Sequence, residues 1–128
     1  METNRRATAK EIEMIAEHII ECCRDEAIER PFGNLDDGDD RYKQSIEIFD
    51  YKDQPFLGGA EVEVYRFFKS GIDEWGDNEH ELIGLSLYLD SIFLWEINEE
   101  GNELDLTDDA QKEIVDIINE YWLPHVAV

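Results

Sequence analysis

Leu82-Ile-Gly-Leu-Ser-Leu-Tyr-Leu-Asp-Ser-Ile-Phe-Leu-Trp-Glu-Ile-Asn-Glu-Glu-Gly-Asn-Glu-Leu-Asp-Leu106 is the most apolar stretch of a 128-residue chain, and it runs into one of the chain's most acidic turns. Ile83, Leu85, Leu87 and Leu89 alternate with Leu82, Gly84, Ser86 and Tyr88. A period of two is the pattern of a β-strand. At Asp90-Ser91 the alternation breaks, and beyond it Phe93, Trp95 and Ile97 stand against Ile92, Leu94 and Glu96. The break predicts a tight turn at Asp90-Ser91 joining two strands. Both faces of the second strand are apolar near that turn, so a central strand covered on both sides is expected. Glu99-Glu100-Gly101-Asn102 reads as a hairpin turn in which Gly-Asn takes positive φ. Glu103 to Leu106 returns as a short strand with Leu104 and Leu106 inward.

Upstream, Tyr42 to Lys52 reads as a strand in which Ile46 and Ile48 oppose Glu47. Asp53 to Gly59 is expected to be a turn, from its proline and paired glycines. Ala60 to Lys69 follows as a strand with Val62 and Val64 on one face and Glu63, Tyr65 and Phe67 on the other. Ser70 to Glu79 is expected to be a loop, and it carries Trp75.

The two ends of the chain read as helices. Thr8 and Glu11 have the spacing of a capping box. Ile12, Ile15, Ile19 and Cys22 or Cys23 recur behind them at helical intervals. A helix from Ala9 to Glu29 is predicted, ended by Arg30-Pro31 because proline disfavours helical geometry at the residue before it. Residues 1–7 are expected to fray. Thr107 caps a last helix whose first turn carries Asp108 and Asp109, which suit the helix dipole. Ala110, Ile114, Ile117, Ile118 and Tyr121 make its buried stripe, and Pro124 stops it. The sum is a single-domain α+β fold of two layers, an antiparallel sheet of four to five strands with the N-terminal and C-terminal helices packed on it.

Charge is the strongest compositional fact. Eleven Lys+Arg stand against 33 Asp+Glu, a net charge of −22. Residues 70–128 hold 16 acids and one base, Lys112. Such an excess costs stability through self-repulsion and exceeds the roughly 2–8 charges that solubility needs. It disfavours direct contact with nucleic acid or an anionic membrane, both polyanions, and favours a basic protein partner. No run of about 18 apolar residues suggests a membrane span. Met1 to Arg6 has no apolar segment behind it to form a signal peptide. The only cysteines, Cys22 and Cys23, are neighbours and cannot staple distant segments, so a reducing, cytoplasmic setting is expected.

Catalytic signatures are missing from the sequence. There is no phosphate-binding glycine loop and no G-x-S-x-G. His18, His80 and His125 lie in separate elements without metal-ligand spacing. Asp36, Asp37, Asp39 and Asp40 around Gly38 suggest calcium, but from Asp37 the fifth position is Arg41 and the twelfth is Ile48, which does not fit an EF-hand. No cofactor, no metal and no enzymatic activity are expected. What remains is a small acidic inhibitor of a basic protein, of the immunity-protein or antitoxin type, acting on a toxin that is often a nuclease. Its contact residues are expected near Trp75, Asp77, Glu79 and Glu81, and around the acidic turn at Glu96, Glu99, Glu100, Glu103 and Asp105. The alternatives are a nucleic-acid mimic that occupies the groove of DNA-binding enzymes and a non-enzymatic scaffold domain with a solvated acidic surface.

Overall fold

The computed structural model describes residues 2, 3, 5–30, 39–48, 56–72, 74–76 and 78–127. Its elements run β1 (Glu2–Thr3), α1 (Ala9–Glu29), β2 (Asp39–Ile48), β3 (Leu57–Ile72), β4 (Asn78–Ile97), β5 (Glu103–Leu106) and α2 (Asp108–Ile117). A π-helical turn, Ile118–Trp122, and a 3₁₀ turn, Leu123–His125, extend α2. The strands form one sheet in the order β1-β5-β4-β3-β2. All pairs are antiparallel except β1 with β5, so the sheet is mixed where a purely antiparallel one was expected. The α+β class and the flanking helices are as the sequence indicates.

Residues 82–97 lie in one strand where two were expected. In the β3–β4 register Glu61 faces Ser91 while Val62 faces Leu89, which leaves Asp90 as an extra residue. Phe67 faces Gly84 while Phe68 faces Leu82, which leaves Ile83 extra in the same way. A bulge of one residue keeps a strand running and moves the alternation to the other parity. Leu85, Leu87 and Leu89 therefore face the core on one side of Asp90, and Ile92 and Leu94 on the other. Two-residue hairpin turns need positive φ, and Asp90-Ser91 has no glycine to supply it. The turns at the two ends of β4 do, with Gly76 and Gly101 both at φ +82°. Ile83, read on the same face as Leu85, Leu87 and Leu89, is exposed at its bulge, and Leu82 packs against the core instead.

Three other expectations are corrected. Gly58 and Gly59 lie within β3, opposite Ile48 and Glu47, and are not part of a turn. At Gly58, φ is +149° and a Cβ would come within 1.9 Å of the Phe93 carbonyl oxygen, so the two backbones approach as only glycine allows. Residues 53–55 of that expected turn, and 49–52 of the preceding strand, lie outside the described residues. Ser70 to Ile72 and Asn78 to Glu79 extend the β3–β4 hairpin, so the expected loop shrinks to its tip. The N-terminus is tied down where fraying was expected. Glu2 and Thr3 pair with Asp105 and Leu106, and Arg5 forms ion pairs with Glu11 and Glu96. An arginine in a chain of net charge −22 has carboxylates to meet wherever it turns.

Both helices lie on one face of the sheet. The capping box forms as predicted, with Glu11 N–H donating to Thr8 Oγ1 and Thr8 N–H to Glu11 Oε1. Ile12, Ile15, Ala16, Ile19, Cys23 and Ala27 form the buried stripe of α1. They close on Ile46, Ile48, Val62, Val64, Leu87, Leu89 and Leu94 from the sheet. Full burial of such a side chain is worth about 1.5–3 kcal/mol. In α2 the stripe Ala110, Ile114, Ile118 passes through the π turn to Leu123, five residues on. Tyr121, expected in that stripe, is rotated out to solvent.

Among the described residues one charged side chain, Arg66, is buried in this layer. Arg66 follows Ala60, Val62 and Val64 along the core face of β3 and is 1% exposed. Its guanidinium grips the Asp40 carboxylate with Nε and Nη2, and its Nη1 donates to the carbonyls of Ala27 (3.1 Å) and Arg30 (2.8 Å) at the end of α1. The α1 terminus is thus capped from the sheet, a favourable place for a cation. Asp40 is thereby withdrawn from the acidic run that suggested calcium; residues 31–38 lie outside the described residues.

Candidate functional site

Among the described residues no helix lies on the opposite face of the sheet. Successive rows across β2, β3 and β4 read Arg41–Tyr65–Ser86, Lys43–Glu63–Tyr88, Ser45–Glu61–Ser91 and Glu47–Gly59–Phe93, and Leu57 pairs Trp95 beyond them. The described residues do not give the central strand its expected cover on both sides: Tyr88 is 54% exposed and Phe93 53% exposed. Phe67 and Ile97 continue this apolar line toward the two ends of the sheet. Phe67 lies across Gly84, whose missing side chain leaves room for the ring: a Cβ there would sit 3.2 Å from Phe67 Cδ2. Phe93 and Trp95 make a tilted ring pair with centroids 5.6 Å apart. Five of the large apolar side chains left exposed by the fold, Phe67, Ile83, Tyr88, Phe93 and Ile97, belong to β3 and β4. A contiguous apolar patch rimmed by polar groups is the usual mark of an interaction surface.

The described cations of this open face are gathered at one end, with Glu63 beside them. At one end Arg41 donates to Tyr65 Oη (3.3 Å) with its guanidinium over the tyrosine ring, and Lys43 lies 3.9 Å from Asp90. At the other end Glu47 and Glu61 form no ion pair with any described base, and Asp105 and Glu103 stand nearby on β5, opposite Trp95 and Ile97. Between Glu47 and Phe93, Gly59 contributes no side chain. The result is an open depression of about 520 Å³ lined by Glu47, Glu61, Ser91, Phe93 and Trp95.

The residues expected from sequence fall at the two ends of β4. Trp75 sits at the tip of the β3–β4 hairpin and is 81% exposed. Asp77 lies outside the described residues. Glu79 and Glu81 begin β4, Glu81 exposed. Glu99, Glu100 and Glu103 are exposed at the other end. There Asn98 organises the turn by accepting from the amides of Glu100 and Asn102. Asp105 is on the open face, whereas Glu96 points to the helix side and is held by Arg5 at 2.8 Å. With a turn at Asp90-Ser91 the two groups would have met. With a continuous strand at about 3.3 Å per residue they are separated by up to about 50 Å. Tyr65, Phe67, Tyr88 and Phe93, between them, were missed. The signal was present: both parities of 82–97 are apolar, and two helices cannot cover both faces of a five-stranded sheet.

His18 and Cys22 have partners of their own. His18 Nε2 donates to the Glu47 carbonyl (3.0 Å), so its protonated nitrogen is the one facing Cys22 Sγ at 3.7 Å, and it is not a base for that thiol. Burial, and then Glu21 and Asp25, push the Cys22 thiol upward, and burial pushes Cys23 up to about 12. Neither is a reactive thiolate at neutral pH. Among the described residues no group of three or more His, Cys, Asp or Glu is placed to hold a metal ion. Among them no helix is long and apolar enough to cross a membrane. No protein-family model, curated protein or solved structure matches the chain.

Proposed function

We propose that the protein is a small inhibitor that masks a basic protein, in the manner of an immunity protein or antitoxin acting on a toxin domain. The observation that carries this is the open sheet face, where the rings of Tyr88 and Phe93 are exposed and Phe93 and Trp95 lie beside Glu47 and Glu61, which form no ion pair with a described base. Aromatic side chains supply the affinity of most protein interfaces, and opposite fields speed encounter and set register. The acidic end of β4 and β5, with Glu99, Glu100, Glu103 and Asp105, extends the negative field beyond the aromatic line. A nucleic-acid mimic is less well supported, because a row of exposed aromatic rings has no counterpart in a phosphate backbone.

Affinity capture from the native host, at low and at moderate salt, tests the proposal together with co-expression of the neighbouring gene product. One cognate basic protein whose toxicity is relieved, and whose capture is lost with Tyr88→Ala/Phe93→Ala bait, is the expected result. Capture of several unrelated DNA-binding enzymes would point to mimicry. No basic protein bound even at low salt would contradict both.

A further inference from the structure

We infer that the depression at Gly59 is the receptor for one arginine side chain of the partner; this rests on the proposal that the open face binds a basic protein. Three features of the depression match a guanidinium. Its wall is the Phe93–Trp95 ring pair, and planar cations stack on such rings. Its rim carries the carboxylates of Glu47 and Glu61, which no described base neutralises, with the Ser91 side chain beside them. Its floor is the backbone of Gly59, left uncovered because Glu47 and Phe93, its neighbours in the same row, have no side chain between them. The charged end of the face is therefore also its concave and aromatic part. The same face already holds one guanidinium this way: Arg41 lies 5.7 Å above the Tyr65 ring and donates to its hydroxyl. Arg41 and Lys43 occupy the far rows, so among the described residues no cation stands in the Gly59 row. Arginine suits it better than lysine because a flat fork both stacks and pairs with carboxylates, whereas an ammonium is a compact, strongly hydrated point charge.

The test is an NMR titration of the protein with N-acetyl-arginine methylamide, its lysine analogue and its neutral citrulline isostere. The expected shifts concentrate on the amides of Gly59, Glu61, Ser91 and Phe93 and saturate with arginine. They are weaker with lysine by at least about fivefold and absent with citrulline. Gly59→Val fills the depression and abolishes them. A Cβ at position 59 meets only the Ile46 carbonyl oxygen, at 3.4 Å, so Gly59→Ala is a milder variant that keeps the fold and weakens binding. Glu61→Gln weakens it without changing shape. Shifts spread over all acidic segments, equal binding of lysine, or arginine binding unchanged in Gly59→Ala and Glu61→Gln would each overturn the assignment. The probe is a free amino-acid derivative, so its failure removes the arginine receptor while capture of a basic protein still decides the wider proposal. Saturable arginine binding with no protein captured would do the reverse.

Discussion

The two faces of this sheet are made by the same strands, and they differ in what closes over them. On the helix side several buried polar groups have partners of matching shape, the Tyr42 hydroxyl and Gln44 Oε1 being exceptions: Arg66 has Asp40 and the last carbonyls of α1. Leu89, on the outer edge of β4, has Asn119, whose amide accepts from its N–H (2.8 Å) and donates to its carbonyl (2.9 Å). Gln111 does the same between Leu94 N–H (3.1 Å) and the Leu106 carbonyl (2.8 Å). On the open side, rings and carboxylates lie side by side with water as their cover. The first arrangement is what stability requires, since an unpaired buried polar group costs about 1–3 kcal/mol. The second stabilises nothing comparable. Exposed apolar rings on one side of a fold are what the proposed interaction surface would present.

Substitutions on the two faces should therefore behave in opposite ways. The largest loss of stability is expected from Asp40→Ala. It strips the counter-charge from a fully buried Arg66 and should cost about 3–5 kcal/mol in a urea titration, enough to threaten folding at 37 °C. Asn119→Ala comes next. It leaves both Leu89 backbone groups without their amide partner and should lower stability by about 1–3 kcal/mol. If either variant unfolds at the wild-type midpoint, the covered face is not the one that holds the fold together.

How far these faces could be read from the chain alone depends on where local chemistry was decisive. The ends of α1 were legible because Thr8, Glu11 and Arg30-Pro31 act within a turn of where they stand. Strand 103–106 and its turn were legible through Gly101 and Asn102. The course of β4 was not, because a bulge and a turn both break the alternation. What separates them at Asp90-Ser91 is the long β3 partner, which no local signal announces. Arg66 was missed because a charge on an apolar parity carries its explanation 26 residues away, in Asp40. The candidate site suffered most. The sequence pointed to acidic turns, and those residues lie at the two ends of β4; the aromatic line between them was missed because the central strand was expected to be covered on both sides.

On the open face the expectation reverses. Tyr88→Ala combined with Phe93→Ala should change the unfolding midpoint by less than about 1 kcal/mol, because surface changes away from the core rarely do more. The same pair should weaken binding of a basic partner by at least about tenfold, the usual loss when central aromatic anchors are truncated. The smallest effect is expected from charge reversal at Glu99, Glu100 and Glu103. It should slow association several-fold at low salt, leave dissociation nearly unchanged and leave the unfolding curve where it was. An unchanged on-rate would remove that acidic turn from the encounter surface.

Site-directed photocrosslinking compares the two sides of the molecule in one experiment. A benzophenone side chain placed at Tyr88, on the open face, is set against one placed at Glu17, on the exposed flank of α1. After irradiation in extract of the native host, the Tyr88 position should give a crosslink to a single basic protein, suppressed by salt and by added unlabelled wild-type protein, and the Glu17 position should give none. Crosslinks of equal strength from both positions, or from Glu17 alone, would contradict the claim that the open sheet face is the binding surface.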